Sequence, residues 1–208
     1  MNKQVKELQA IAKKGDVDAQ YELGNAYWHG QGVDEDMREA VRWWRKAAEQ
    51  GKAKAQNALA WAYAVGQGVK NDGREAFHWW RKAAEQGHAP SQEKVALSYY
   101  YGRVVTVDKR EAVRWCTKAA EQGSESAQQR LSSAYLNGEG VITDMREAYI
   151  WHSIAKVPGS EYAEKNFRKI DWGEYLSQSE IRSAQKEAKQ RLEDINLRKA
   201  QHDNKFGL

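Results

Sequence analysis

The chain of 208 residues carries a single cysteine, Cys116, and only two prolines. One thiol excludes an intramolecular disulfide framework and a cysteine-rich metal site, and it leaves the redox compartment undetermined. So little proline permits long helices. Long apolar runs are missing as well: nothing approaches the ~20 apolar residues of a membrane-spanning helix, so no membrane insertion is expected. The opening MNKQVKELQAIAKKG lacks the apolar segment of a secretory signal. The expectation is a cytoplasmic protein, or a periplasmic or secreted one if a signal peptide has been removed. An excess of one charge is also absent. Against 29 acidic residues stand 33 basic ones, a formal charge of +4, which gives bulk electrostatics little hold on nucleic acid. Phenylalanine is scarce at 3, while tryptophan and tyrosine number 9 and 10. Large aromatics must therefore do much of the packing.

What is present is a repeat. REAVRWWRKAAEQG runs from Arg38 to Gly51, REAFHWWRKAAEQG from Arg74 to Gly87 and REAVRWCTKAAEQG from Arg110 to Gly123, each 36 residues after the last. Taken alone, paired tryptophans among arginines could stack bases and hold phosphates. A fixed period of this size marks repeat architecture first. Four units follow without a gap, at 15–50, 51–86, 87–122 and 123–158. Each begins with a first helix (AQYELGNAYWHG in the first), passes through a loop (QGVDED) and enters a second helix. Small residues recur at Ala19, Ala55, Ser91 and Ala127, and at Gly24, Ala60, Ala96 and Ser132, where a neighbouring backbone can come close. Tyr27, Tyr63, Tyr99 and Tyr135 recur, as do Trp43, Trp79, Trp115 and Trp151, each expected to fill the same gap between helices.

The loops carry their own chemistry. Gly30, Gly66, Gly102 and Gly138 end the first helices, where positive φ is favoured. A second glycine follows at Gly32, Gly68 and Gly140, whereas Val104 replaces it in the third unit and predicts a loop of different shape. Asp36, Asp72, Asp108 and Asp144 precede Glu39, Glu75, Glu111 and Glu147 by three residues. That spacing is a variant of the capping box, with aspartate as N-cap. Four copies of a catalytic carboxylate pair would be the alternative, and capping accounts for all of them. Cys116 stands where Trp44 and Trp80 stand in earlier units, so burial is expected rather than nucleophilic work. His29, His78, His88, His152 and His202 are scattered, without metal-ligand spacing. No enzymatic activity, cofactor or metal is expected.

The pattern AQ..LG..Y..G.GV..D..EA..WW.KAAEQG, over about residues 15–157, resembles the Sel-one-like repeats, relatives of the tetratricopeptide repeats. The resemblance implies an all-α, right-handed α-solenoid of stacked helix-turn-helix units, a single repeat domain with terminal caps. Residues 1–14 form the N-terminal cap. In it Leu8, Ile11 and Ala12 fall 36 residues before Trp44, Ala47 and Ala48, imitating a second helix. Residues 159–198 form the C-terminal cap, as the helices EYAEKNFRKI and LSQSEIRSAQKEAKQRLEDI, the latter with Ser177 or Ser179 as N-cap. Residues 199–208 are expected to fray.

The resemblance also implies a scaffold or adaptor at work in a bacterium, with effector neutralisation as one form. Its first helices would line the concave face and bind a protein or peptide. The exposed positions there are Tyr21, Asn25, Trp28, His29, Asn57, Trp61 and Val65, then Glu93, Leu97, Tyr100, Tyr101, Gln129, Ser133 and Asn137. Trp28, Trp61, Tyr100 and Tyr101 do not recur, so either they bind or they fill space between first helices. A monomer is expected. Two alternatives stay open: an enzyme with its site at the concave surface, and a nucleic-acid binder using a basic outer ridge. That ridge comprises Arg38, Arg42, Arg45, Arg74, His78, Arg81, Arg110 and Arg114. The plainer reading of it is a solvated face, with Glu39, Glu75 and Glu111 pairing at i+3 and Glu49 pairing back to Arg45.

Overall fold

The computed structural model describes residues 1–155 and 170–206. Among them every regular element is helical. α1 (Lys3–Lys13) precedes four helix pairs: α2 (Val17–His29) with α3 (Met37–Glu49), α4 (Ala53–Val65) with α5 (Gly73–Glu85), α6 (Ala89–Tyr101) with α7 (Lys109–Glu121), and α8 (Glu125–Asn137) with α9 (Met145–Ala155). A 3-10 turn at Trp172–Glu174 leads to α10 (Gln178–Phe206). Pro90 falls in the first turn of α6, where a missing N–H breaks no intrahelical bond. Internal contacts divide the chain into two compact units, Met1–Val95 and Ala96–Leu208.

In the first unit α1 to α5 pack in chain order. One cluster joins Val5 and Ala12 of α1 to Leu23 and Tyr27 of α2 and Trp43 of α3. A second joins Trp44, Ala47 and Ala48 of α3 to Leu59 and Ala60 of α4 and Trp79 of α5. Gly24 makes room for the first of these aromatics, since a β-carbon there would collide with the Trp44 ring. Gly68, at φ +71°, lies where a β-carbon would strike the Met37 carbonyl, so the loop before α5 rests on the start of α3. Ile11 departs from the expected imitation of a second helix. It is 48% exposed, whereas its counterpart Ala47 is buried in the cluster with Leu59 and Ala60 of α4.

In the second unit α7 packs on α8, α8 on α9 and α9 on α10. Ile150, Trp151 and Ile154 of α9 and Ala184, Ala188 and Ile195 of α10 are buried. Ser177 is the N-cap of α10: its hydroxyl accepts from the Glu180 N–H at 3.3 Å, and its own N–H donates to the Glu180 carboxylate at 2.7 Å. This reciprocal pair is a full capping box. α10 runs to Phe206 rather than fraying from 199, for no glycine or proline interrupts it before Gly207. The helix read at EYAEKNFRKI lies, but for Ile170, outside the described residues.

The aspartates cap as expected, with a difference. Asp36, Asp72 and Asp108 each accept from the Glu N–H three residues on, at 3.0, 3.1 and 3.0 Å, and Asp144 does so at 2.9 Å. Their own N–H groups are not taken by those glutamates. They donate instead to the carbonyls of Tyr27, Tyr63, Tyr99 and Tyr135, all at 3.0 Å. Each recurring tyrosine thereby ties its helix to the next one through the backbone. Val104 avoids positive φ, whereas Gly32, Gly68 and Gly140 adopt +74°, +71° and +78°, so the third loop does differ at that residue.

Candidate interaction surface

The residues singled out on the first helices divide into those held by neighbours and those left open. In the first unit Trp28 is half-buried. Its ring lies 4.9 Å from that of Trp44 and 5.4 Å from that of Trp61, edge-on to the latter at 79°. Trp28 therefore does fill space between helices. Trp61 and Val65, one turn apart on α4, stay 42% and 46% exposed, and His29 is exposed as well. The asparagines are used internally. Asn25 accepts from the Trp44 indole N–H at 3.1 Å, and Asn57 accepts from the Ser91 hydroxyl at 3.1 Å. Tyr21 is packed against the Trp44 cluster, and Glu93 is half-buried.

In the second unit Tyr100 is equally committed. Its hydroxyl donates to Glu139 at 2.5 Å, and the Lys109 ammonium sits 3.2 Å above its ring. Tyr101 is 53% exposed, edge-on to Tyr100, with the Arg103 guanidinium 5.4 Å over its ring. Leu97 and Ser133 are half-buried and Asn137 is exposed. Gln129 is a correction: expected on the exposed face, it is 8% exposed. It shares the repeat position of Tyr21 and Asn57, which faces neighbouring helices rather than solvent.

Three arginines of the ridge are paired with carboxylates of their own helices. Arg42 meets Glu39 at 3.0 Å, Arg114 meets Glu111 at 2.7 Å and Arg81 meets Glu85 at 3.0 Å. Arg45 does not pair with Glu49. It donates to the Tyr63 hydroxyl at 2.7 Å, drawn by a ring 5.8 Å from its guanidinium. Cys116 is buried at 6%. Among the described residues no group of His, Cys, Asp or Glu could hold a metal ion, and no helix is long and apolar enough to cross a membrane. Burial lowers the pKa of His88, with Lys54 adding to the effect, and raises that of Tyr27 beside Glu39 and Asp36.

Two recurring devices escaped the sequence reading. Gln20, Gln56, Gln92 and Gln128 each donate to the carbonyl of Ala12, Ala48, Ala84 or Ala120, at 3.1 Å. Gln50 and Gln86 donate in turn to Gln20 and Gln56 at 2.7 Å. Lys46, Lys82 and Lys118 lie 4.5, 4.6 and 4.2 Å over the rings of Trp43, Trp79 and Trp115. Both signals stand in the letters, as the glutamines of AQ and AAEQG and as a lysine three residues after Trp43, Trp79 and Trp115.

Comparison with known proteins adds four matches to the Sel1 repeat model, at residues 17–52, 53–88, 89–124 and 125–156. Among solved structures, a protective antigen of uropathogenic Escherichia coli displaying an SLR fold is 38% identical over 78% of this chain, with a TM-score of 0.73. A Sel1 repeat protein from Oxalobacter formigenes is 34% identical over 74% of this chain, with a TM-score of 0.68. The chain spans 35% of the length of the first and 65% of the second. No curated protein matches.

Proposed function

The chain belongs to the Sel1 repeat family, whose members generally serve as protein–protein interaction scaffolds, and from that premise we propose that it binds a protein or peptide through exposed residues of its first helices. The observation that carries this reading is the exposure of Trp61, Val65 and Tyr101, at 42%, 46% and 53%. All three lie on first helices, while the recurring tryptophans of the second helices are buried. Tryptophan and tyrosine dominate the energetics of protein interfaces. The work is holding rather than chemistry. The carboxylates most suggestive of catalysis cap helices, and three arginines of the ridge, Arg42, Arg81 and Arg114, are paired with glutamates. An adaptor in a bacterium fits the bacterial relatives, with neutralisation of an effector as one form of the role.

The test places a photo-crosslinking residue at 61, 65 or 101, and in parallel at 42 or 114 on the second helices, within the native cell. Adducts to the same protein from the first three positions, and none from the last two, are expected. With that partner in hand, Trp61→Ala combined with Tyr101→Ala should weaken binding by roughly a hundredfold, taking about 2 kcal/mol for a hot-spot truncation and partial additivity. Arg42→Glu combined with Arg114→Glu should leave it unchanged. Crosslinks confined to positions 42 and 114 would move the working face to the arginine ridge.

A further inference from the structure

The third repeat lacks a tryptophan that the first two carry, and the structure shows what its absence leaves behind. Trp44 occupies a site built by three residues of α2: it fills the space above Gly24, donates its indole N–H to Asn25 and stacks on Trp28. One repeat later Trp80 packs against the same cluster. In the third repeat the position is Cys116, and the counterparts of Gly24, Asn25 and Trp28 are Ala96, Leu97 and Tyr100. All four line a cavity of about 20 Å³, completed by Val113 of α7 and Leu131 of α8. The hollow thus lies among the positions that surround a tryptophan in the first repeat, and is much smaller than the ring it replaces.

Its walls and its rim differ in character. The walls are aliphatic apart from the thiol, and 20 Å³ admits one small group. A water there would need two or more polar partners, which methyl and methylene groups do not provide, so an aliphatic group fits better. Tyr100, Glu139 and Arg130 form the rim, with their polar atoms outside the hollow itself. Glu139 is satisfied, by the Tyr100 hydroxyl at 2.5 Å and by Lys109 at 3.8 Å. Arg130 is exposed and has no ion-pair partner among the described residues. One anion set against two cations leaves the rim with a spare positive charge.

We propose that this notch is a specificity pocket of the protein-binding face, taking the tip of a valine-sized side chain whose neighbour in the partner segment is a carboxylate. The proposal rests on the reading of the first-helix face as the binding surface. The missing aromatic selects for a short aliphatic group by shape, and Arg130 selects the acidic neighbour by charge.

The probes are three capped peptides, acetyl-Ser-Val-Glu-Ser-amide and its Val→Ser and Glu→Lys counterparts, titrated into the 15N-labelled full chain. The first should shift the amides of Leu97, Val113 and Leu131, and the other two should bind at least about tenfold more weakly. Cys116→Trp, which restores the repeat's own residue, should abolish the shifts while preserving the helical signal. Should that ring prove too large beside Ala96, Cys116→Leu supplies a milder filling and the same expected loss. Arg130→Glu should remove the preference for glutamate over lysine. Undiminished shifts in the filled variants, equal binding of the lysine peptide, or no shift at about 10 mM peptide would each overturn the notch. Those results leave the crosslinking test of the face untouched. Conversely, crosslinks from the arginine ridge alone would overturn the face even with the peptides seated in the notch.

Discussion

Trp43 is 3% exposed with Lys46 held over its ring, so truncating it removes a large buried surface and a cation's resting place together. Trp43→Ala is expected to cost roughly 3–5 kcal/mol. Trp61→Ala, at a 42% exposed position, should cost under about 1 kcal/mol. Trp28→Ala belongs between them, at about 1–3 kcal/mol, because its ring is wedged between two others. Urea melts of the three variants check the order, and equal losses would refute it. The recurring tryptophans were legible because recurrence itself reports a shared environment. Trp28 was not: a residue occurring once carries no periodic signal, and its duty appears only when Trp44 and Trp61 are seen to converge on it. The glutamine ladder was hidden for a related reason, since Gln20 and Gln50 meet only once their helices pack. His88 supplies a pH test at this scale. It precedes α6, with Nδ1 2.9 Å from the Ser91 hydroxyl, and burial, aided by Lys54, lowers its pKa from the usual 6.5. The unfolded chain therefore binds the proton more readily than the folded one. The stability contribution is full above the unfolded pKa and falls as pH drops through it towards the folded value. Melts from pH 7.5 to 5 should show that loss in the native chain, with a shallower slope in His88→Asn, which places a favoured N-cap residue there without titrating. Identical slopes would show that His88 contributes nothing.

At the scale of an element, α10 behaves as the cover of the second unit. It buries Ala184, Ala188 and Ile195 and holds α9 by charge. Arg191 makes a bidentate contact with Glu147 at 2.9 and 2.7 Å, and Arg146 reaches Glu187 at 2.6 Å. The paired carboxylates hold the Arg191 pKa above its ordinary value, and the Arg146 hydrogen bond holds that of Glu187 below its own. Partly exposed pairs of this kind mainly fix orientation, since solvent screens them. The apolar face supplies the stability. A chain ending at Leu176 should expose Ile150, Trp151 and Ile154 and self-associate, as seen by light scattering, with a lowered melting temperature. A monomer with an unchanged melt would show that α10 is dispensable. The spacing of Leu176, Ile181, Ala184, Ala188 and Leu192 announced this helix from sequence, because amphipathic periodicity is local information. The destination of a backbone N–H is not. Asp36 was legible as a cap, while the partner of its N–H, the Tyr27 carbonyl, depends on how the loop closes. Ile11 misled because the period predicts a counterpart's environment, and α1 does not reproduce the cluster that buries Ala47.

At the scale of the whole molecule, packing follows chain order: α1 to α5 in one unit and α7 to α10 in the other each rest on their sequence neighbours. Such arrays draw stability from each repeat and from its nearest interfaces. This is why the period alone disclosed the fold class while leaving the binding face open: repetition specifies the scaffold, whereas residues that break it, such as Trp61, Tyr101 and Cys116, have no counterpart from which to read their role. The same locality makes a prediction about cooperativity. Trp43→Ala strikes the cluster shared by α1, α2 and α3, so its cost should appear first in the opening of those helices. Native-state hydrogen exchange should show amides of α1 to α3 exchanging about a hundredfold faster or more, the factor implied by roughly 3–5 kcal/mol. Amides of α8, α9 and α10 should keep their protection, because the damaged interface is not one of theirs. Trp151→Ala should produce the mirror result, exposing α8 to α10 and sparing α1 to α3. If either variant instead accelerates exchange equally throughout, the chain opens as one cooperative body and nearest-neighbour packing does not govern its stability.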